Sequence, residues 1–193
     1  MEQSQTYDIQ YYTNLKDKYL EEAEKMFGPK TEYLLDGICF GVDGPKVEPS
    51  FMAIVSKEKA FVVTLNPVAQ SNHDSGVFQI SHEVVHLISP LVYAEEEDVN
   101  FLEEGMATYF SKLITERETG NFDIAILGMN QKPLYKDAYE LYLKLIETEP
   151  CAVKKLRKVQ PEIALITKET FEIAELTTDA ELIVKLLKHF PRN

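Results

Sequence analysis

Two of the four histidines in this chain stand one helical turn apart in Ser81-His82-Glu83-Val84-Val85-His86. At about 100° per residue, His86 falls about 40° from His82, so both imidazoles leave the same face of a helix and can reach one ion. Bond lengths of about 2.0–2.1 Å make zinc the natural ion for such a pair. Glu83 turns about 100° away from His82, beside the ion but not aimed at it, which is where a general base for a water molecule belongs. Zinc draws the pKa of a water toward neutrality, and the carboxylate takes its proton as the water attacks a carbonyl. That chemistry is metal-assisted hydrolysis. The competing reading of these residues alone is a helix carrying two exposed histidines and no metal.

A catalytic zinc wants three protein ligands and one open position. The remaining histidines are His73, just before this helix, and His189, near the end of the chain, and no histidine follows closely in Leu87-Ile88-Ser89-Pro90. A carboxylate is the alternative, and DVNFLEEGMATYF, residues 98–110, supplies candidates. On a helical wheel Val99, Leu102, Met106, Tyr109, Phe110 and Leu113 make an apolar back. Glu104 points the other way, near Thr108 and Glu97, whereas Glu103 lies at the edge of the apolar strip. Glu104 is therefore the expected third ligand. Gly105 beside it carries no side chain and would let the two helices approach closely.

HEVVH followed by Glu104 in LEEGMATYF resembles the gluzincin metallopeptidases, and its second motif is most similar to the aminopeptidase N-like branch, where it reads roughly Leu-Asn-Glu-Gly-Phe-Ala-Thr-Tyr-Phe. The resemblance spans residues 75–115. It implies His82, His86 and Glu104 as zinc ligands, Glu83 as general base, a zincin-like fold, and a peptide or protein substrate. Thr108 also falls where that branch has threonine. The chain departs from the branch in three ways. The spacing is one residue shorter, Glu103 replaces asparagine, and no Gly-x-Met-Glu-Asn stretch precedes the first motif. A zincin-like zinc protein without peptidase activity, or acting on another amide or ester, is the alternative that the resemblance leaves open.

Hydrolysis also needs a donor for the developing oxyanion. Tyr135, Tyr139 and Tyr142 form a stripe at helical spacing, which is the usual mark of packing. One of them, or His189, could still reach the site. His73 reads as an exposed bystander and Tyr109 as core. The acidic run Glu95–Asp98 suits a solvated helix start, with Glu97 able to support the site. VKKLRK, residues 153–158, reads as a solvated helix face.

These residues must be carried by helices and a small sheet. Apolar spacing predicts helices over 14–28, 75–89, 98–114, 134–147, 151–159 and 178–190. In the second of these, Val77, Ile80, Val84, Leu87 and Ile88 oppose the histidines, and Pro90 disfavours helix at Ser89. YLLDGICFGV reads as a strand broken at Gly37. SFMAIV (50–55) and AFVVTL (60–65) read as a hairpin, ended by Asn66-Pro67. In zincins an extended substrate pairs with an edge strand, and this hairpin would supply that edge. Strands followed by helices predict an α+β fold: a small N-terminal antiparallel sheet with an active-site helix, then a mostly helical C-terminal part. The expected division is a catalytic core over 1–116 and a helical subdomain over 117–193, joined near 117–133, with one continuous domain as the alternative.

With 193 residues, 45% of them hydrophobic and 27% charged, the chain can bury a substantial core. Its net charge of −12 would repel phosphate backbones and anionic membranes, so neither nucleic acid nor membrane is an expected partner. No apolar run reaches the roughly 18–20 residues of a membrane span, and the polar N-terminus lacks the apolar centre of a signal peptide. Cys39 and Cys151 are too few for a disulfide framework and read as buried thiols of a reducing, cytoplasmic compartment.

Overall fold

The computed structural model describes residues 6–41, 51–56, 60–90 and 99–191. Eight α-helices and three strands occur among them: α1 (Ile9–Phe27), β1 (Leu34–Phe40), β2 (Phe51–Ser56), β3 (Ala60–Leu65), α2 (His73–His86), α3 (Phe101–Thr119), α4 (Asp123–Gln131), α5 (Pro133–Thr148), α6 (Ala152–Val159), α7 (Lys168–Ile173) and α8 (Ala180–Leu186). The class is α+β, as the sequence predicts. No helix among the described residues is long and apolar enough to cross a membrane.

The sheet corrects one expectation. Its order is β1-β3-β2; β2 and β3 pair antiparallel, but β1 and β3 run parallel, so the sheet is mixed and not antiparallel throughout. The chain leaves β1, lays β2 down at the far edge, and returns as β3 between the two. A hairpin makes β2 and β3 antiparallel; inserting its second strand beside β1 forces the parallel pair. The register slips between Leu35 and Gly37, where the sequence places the break. β2 pairs with β3 alone among the described residues and forms one edge.

Caps set the helices that matter. Asn72 accepts a hydrogen bond from Ser75 N and opens α2; Asn100 accepts from Glu103 N and opens α3. Gly120, in left-handed geometry at φ 69°, closes α3. Pro133 opens α5, where its missing N–H costs nothing. α1 begins earlier than apolar spacing predicts because Asp8 caps it, accepting from Tyr11 N. The sequence reading missed α4 and α7, which are short and leave Ile126, Leu127 and Ile173 exposed, so their apolar residues do not follow a buried face.

One apolar cluster joins α1, the sheet, α2 and α3 with Tyr142, Leu145, Leu156, Phe171 and Leu186 from the C-terminal helices. The boundary expected at 117 falls inside α3. α1 meets α2 at Gly76, where an added Cβ would lie 1.8 Å from the Tyr12 hydroxyl. That hydroxyl donates to Ala69 O at 2.6 Å. At the other end of α1, Arg157 is buried, which corrects the solvated face expected for 153–158. Its guanidinium donates to the carbonyls of Phe27, Gly28, Pro29, Ile88 and Pro161, tying α1, α2 and α6 together. Burial pulls its pKa down to about 10, which leaves it charged at neutral pH. Cys151 is exposed, not buried, and Cys39 is half-buried with its thiol 3.4 Å from the Thr64 hydroxyl.

Candidate metal centre

α2 and α3 pack side by side and bring the expected residues together. His82 Nε2 lies 3.4 Å from His86 Nε2 and 3.4 Å from Glu104 Oε2, and His86 Nε2 lies 3.8 Å from Glu104 Oε1. Among the described residues these three form the group whose ligand atoms converge, all within 4.8 Å of one another. Donors about 2.0–2.1 Å from a tetrahedral ion are about 3.3–3.4 Å apart. The His82–His86 spacing and the His82–Glu104 Oε2 spacing match that edge; the 3.8 Å approach to His86 is made by the other carboxylate oxygen, Oε1. Two imidazole nitrogens and one carboxylate also form a donor set that zinc takes. The residues therefore fit a divalent cation.

A polar helix face need not be open to solvent. Every residue of α3 from Phe101 to Thr108 is buried. Glu83, Glu103 and Glu104 are each no more than 5% exposed. Three carboxylates withdrawn from water are costly unless positive charge meets them. The two imidazoles face this cluster. Burial alone would push the His86 imidazole down, but the Glu104 carboxylate, the hydrogen bond and charge of Glu103, and the charge of Glu83 outweigh it, holding its pKa up at about 9. A proton is thus strongly held where the donor set fits a cation.

Glu103 has a role that the wheel leaves unassigned. Its Oε1 accepts from His86 Nδ1 at 2.7 Å, with both side chains buried. With Nδ1–H committed to Glu103, the lone pair of neutral His86 sits on Nε2, facing Glu104 and His82. The signal was present in the sequence: Glu103 stands where the resembled motif has asparagine, and a carboxylate accepts from an imidazole N–H at least as well. His82 is held differently. Its ring neighbours are Phe78, stacked at 6.3 Å, and Tyr135, tilted at 6.0 Å. Its buried Nδ1 has no hydrogen-bond partner among the described residues.

Gly105 does permit a close approach, but of α5 rather than of α2. A Cβ there would lie 2.4 Å from Ala138 O and 2.8 Å from Tyr142 Cβ. This contact puts the tyrosine stripe of α5 over the site and separates its members. Tyr142 is buried against Gly105, and burial pushes its phenol far above the usual tyrosine range. Tyr139 stacks on Tyr109 at 6.4 Å. Tyr135, half-buried, is the one that meets His82. Phe190, 5.0 Å from both Tyr135 and Phe101, backs it.

His189 does not reach the site. Its side chain is exposed, while its backbone bridges Asn100 at the head of α3. His73 is not among the converging ligands; it begins α2 and is half-buried rather than exposed, with Nε2 2.7 Å from the Tyr11 hydroxyl. Leu113, placed on the apolar back, is exposed. Glu97 lies outside the described residues.

Compared with known proteins, the chain matches no family model, no curated protein and no solved structure. The likeness of HEVVH and LEEGMATYF to gluzincins rests on those residues alone.

Proposed function

We propose that this chain is a zinc-dependent hydrolase of peptide bonds, with a zincin-like arrangement of α2 and α3. The observation that carries this reading is the convergence of His82, His86 and Glu104 at spacings close to a tetrahedral edge. When bound, a zinc ion would acidify a water and polarise a carbonyl oxygen. Glu83 lies on the same helix between the two histidines, buried and shielded from bulk water, and takes the water's proton before returning it to the leaving amine. The Tyr135 phenol, beside His82, donates to the carbonyl oxygen as negative charge develops there. Glu103 fixes the tautomer and ring angle of His86. β2 offers an edge to which an extended peptide backbone can add, and both β2 and β3 touch α2.

The test is metal analysis joined to peptide cleavage. Purified protein should carry stoichiometric zinc, lost on Glu104→Ala. Glu83→Gln should keep the zinc and cleave nothing from a broad peptide library. Zinc-loaded wild type that cleaves no member of that library would end the peptidase reading.

A further inference from the structure

A pocket of about 300 Å³ lies between α5, α8 and the head of α3, and no candidate metal ligand lines it. Phe101 and Leu141 make part of its wall apolar. Every other lining residue is charged: Asp137, Glu140 and Lys144 from α5, Lys185 from α8 and Lys188 just beyond it. All of these charged residues are exposed. Lys188 is fixed at the head of α3 by its carbonyl, which accepts from Phe101 N at 3.1 Å.

Charges of both signs line this cavity without neutralising one another. Among the described residues, neither acid forms an ion pair with any of the lining lysines. Glu140 pairs with Lys136 and Lys185 with Glu181, each at 3.9 Å, and neither Lys136 nor Glu181 lines the pocket. Glu140 and Lys144 stand at i and i+4, in the order that favours such a pair on a helix, and here they remain apart. We propose that this pocket binds a short zwitterionic peptide. Its ammonium lies on Asp137 and Glu140, its carboxylate on Lys144, Lys185 and Lys188, and an apolar side chain against Phe101 and Leu141.

Length and size fit a peptide of two or three residues. Asp137 and Lys144 lie about 10 Å apart along α5 at 1.5 Å per residue. Extended peptide advances about 3.3 Å per residue, so two or three residues join them. The volume is twice that of the cavity of about 150 Å³ that holds a benzene ring, room for a short backbone and one apolar side chain. Water weakens each ion pair at these exposed groups, so a dissociation constant near 1 mM is expected, on the order of a weak metabolite site. Peptide hydrolysis releases chains with one new ammonium and one new carboxylate for each bond cut, but the assignment stands apart from the hydrolase reading.

The test is a titration of leucine-methyl-labelled full chain, carrying Glu83→Gln to prevent turnover, as purified and again after metal chelation. The dipeptide Gly-Leu should shift the Leu141 methyl resonances saturably and equally in both states. Acetylating its amine or amidating its carboxylate should each weaken binding at least about fivefold. Asp137→Asn with Glu140→Gln should weaken Gly-Leu and strengthen its acetylated form. Lys144→Gln with Lys188→Gln should weaken Gly-Leu and strengthen its amide. No saturation by about 10 mM, equal affinity for the three peptides, or affinity untouched by the charge variants would overturn the site. A shift that disappears on chelation would place the peptide on the metal and overturn it as well. Zinc-loaded wild type that cuts no peptide would remove the hydrolase and leave the binding result standing.

Discussion

His86 Nδ1 donates to Glu103 Oε1 at 2.7 Å, with both side chains buried and with Glu104, the next residue along α3, on the other side of the same imidazole. Consecutive glutamates thus serve opposite edges of one ring, one orienting it and one sharing its ligand face. Glu103→Gln keeps an acceptor but removes the charge, and Glu103→Ala removes both. Zinc affinity should fall about 10- to 100-fold in Glu103→Ala, with a smaller loss in Glu103→Gln, read by competition with a chelator.

The raised pKa of His86 makes metal binding pH-dependent. Its folded-state value of about 9 exceeds the ordinary 6.5, so in metal-free protein its stabilising contribution is full below about pH 6.5 and lost as pH rises through about 9. A metal must displace that proton. Apparent zinc affinity should therefore rise by up to about tenfold per pH unit over the same window, then level off. Titrations in buffers of different ionisation enthalpy should register the released proton.

Gly105→Ala places a methyl group 2.4 Å from Ala138 O, a backbone atom that cannot swing aside. Forcing α3 and α5 apart should cost about 1–3 kcal/mol, seen as a lower thermal midpoint. Because Glu104 adjoins Gly105, zinc affinity should fall with it.

Tyr135→Phe removes only the phenolic hydroxyl. Peptide turnover should drop about 10²- to 10³-fold with zinc content unchanged, the loss expected for an oxyanion donor. Tyr139→Phe, whose ring stacks on Tyr109 away from His82, should leave turnover close to wild type. Equal effects of the two would remove Tyr135 from the mechanism.

Arg157→Leu deprives five backbone carbonyls of their shared donor at the junction of α1, α2 and α6. Ile88 O keeps its bond from Thr31 N, but the carbonyls that lose their donor are costly to leave unpaired, and the combined loss should be about 3 kcal/mol by denaturant unfolding. Arg157→Lys should recover only part of it, since an ammonium cannot span acceptors on three segments.

The site was legible where its determinants are local. A helical repeat alone puts His82 and His86 on one face, and the wheel alone separates Glu104 from the apolar back of α3. Caps and strand ends also follow from neighbours in sequence: Asn72, Asn100, Pro133 and Asn66 act within three residues of themselves. Glu103, Tyr135 and Arg157 were misjudged or left open for a shared reason. Each acquires its role from a partner far along the chain: His86, His82, and the carbonyls around Phe27 and Ile88, respectively.

The sequence by itself determined six of the eight helices, the strands and the chemical types of the candidate ligands, because hydrogen-bond ladders and side-chain periodicity act over a few residues. Tertiary structure decided which tyrosine meets the histidines, that the charged face of α3 lies inside the protein, and that β3 slots between β1 and β2. Those outcomes depend on how closely elements approach one another. At Gly105 that distance is set by the absence of a single methyl group, a contact between α3 and α5 that no helical wheel represents.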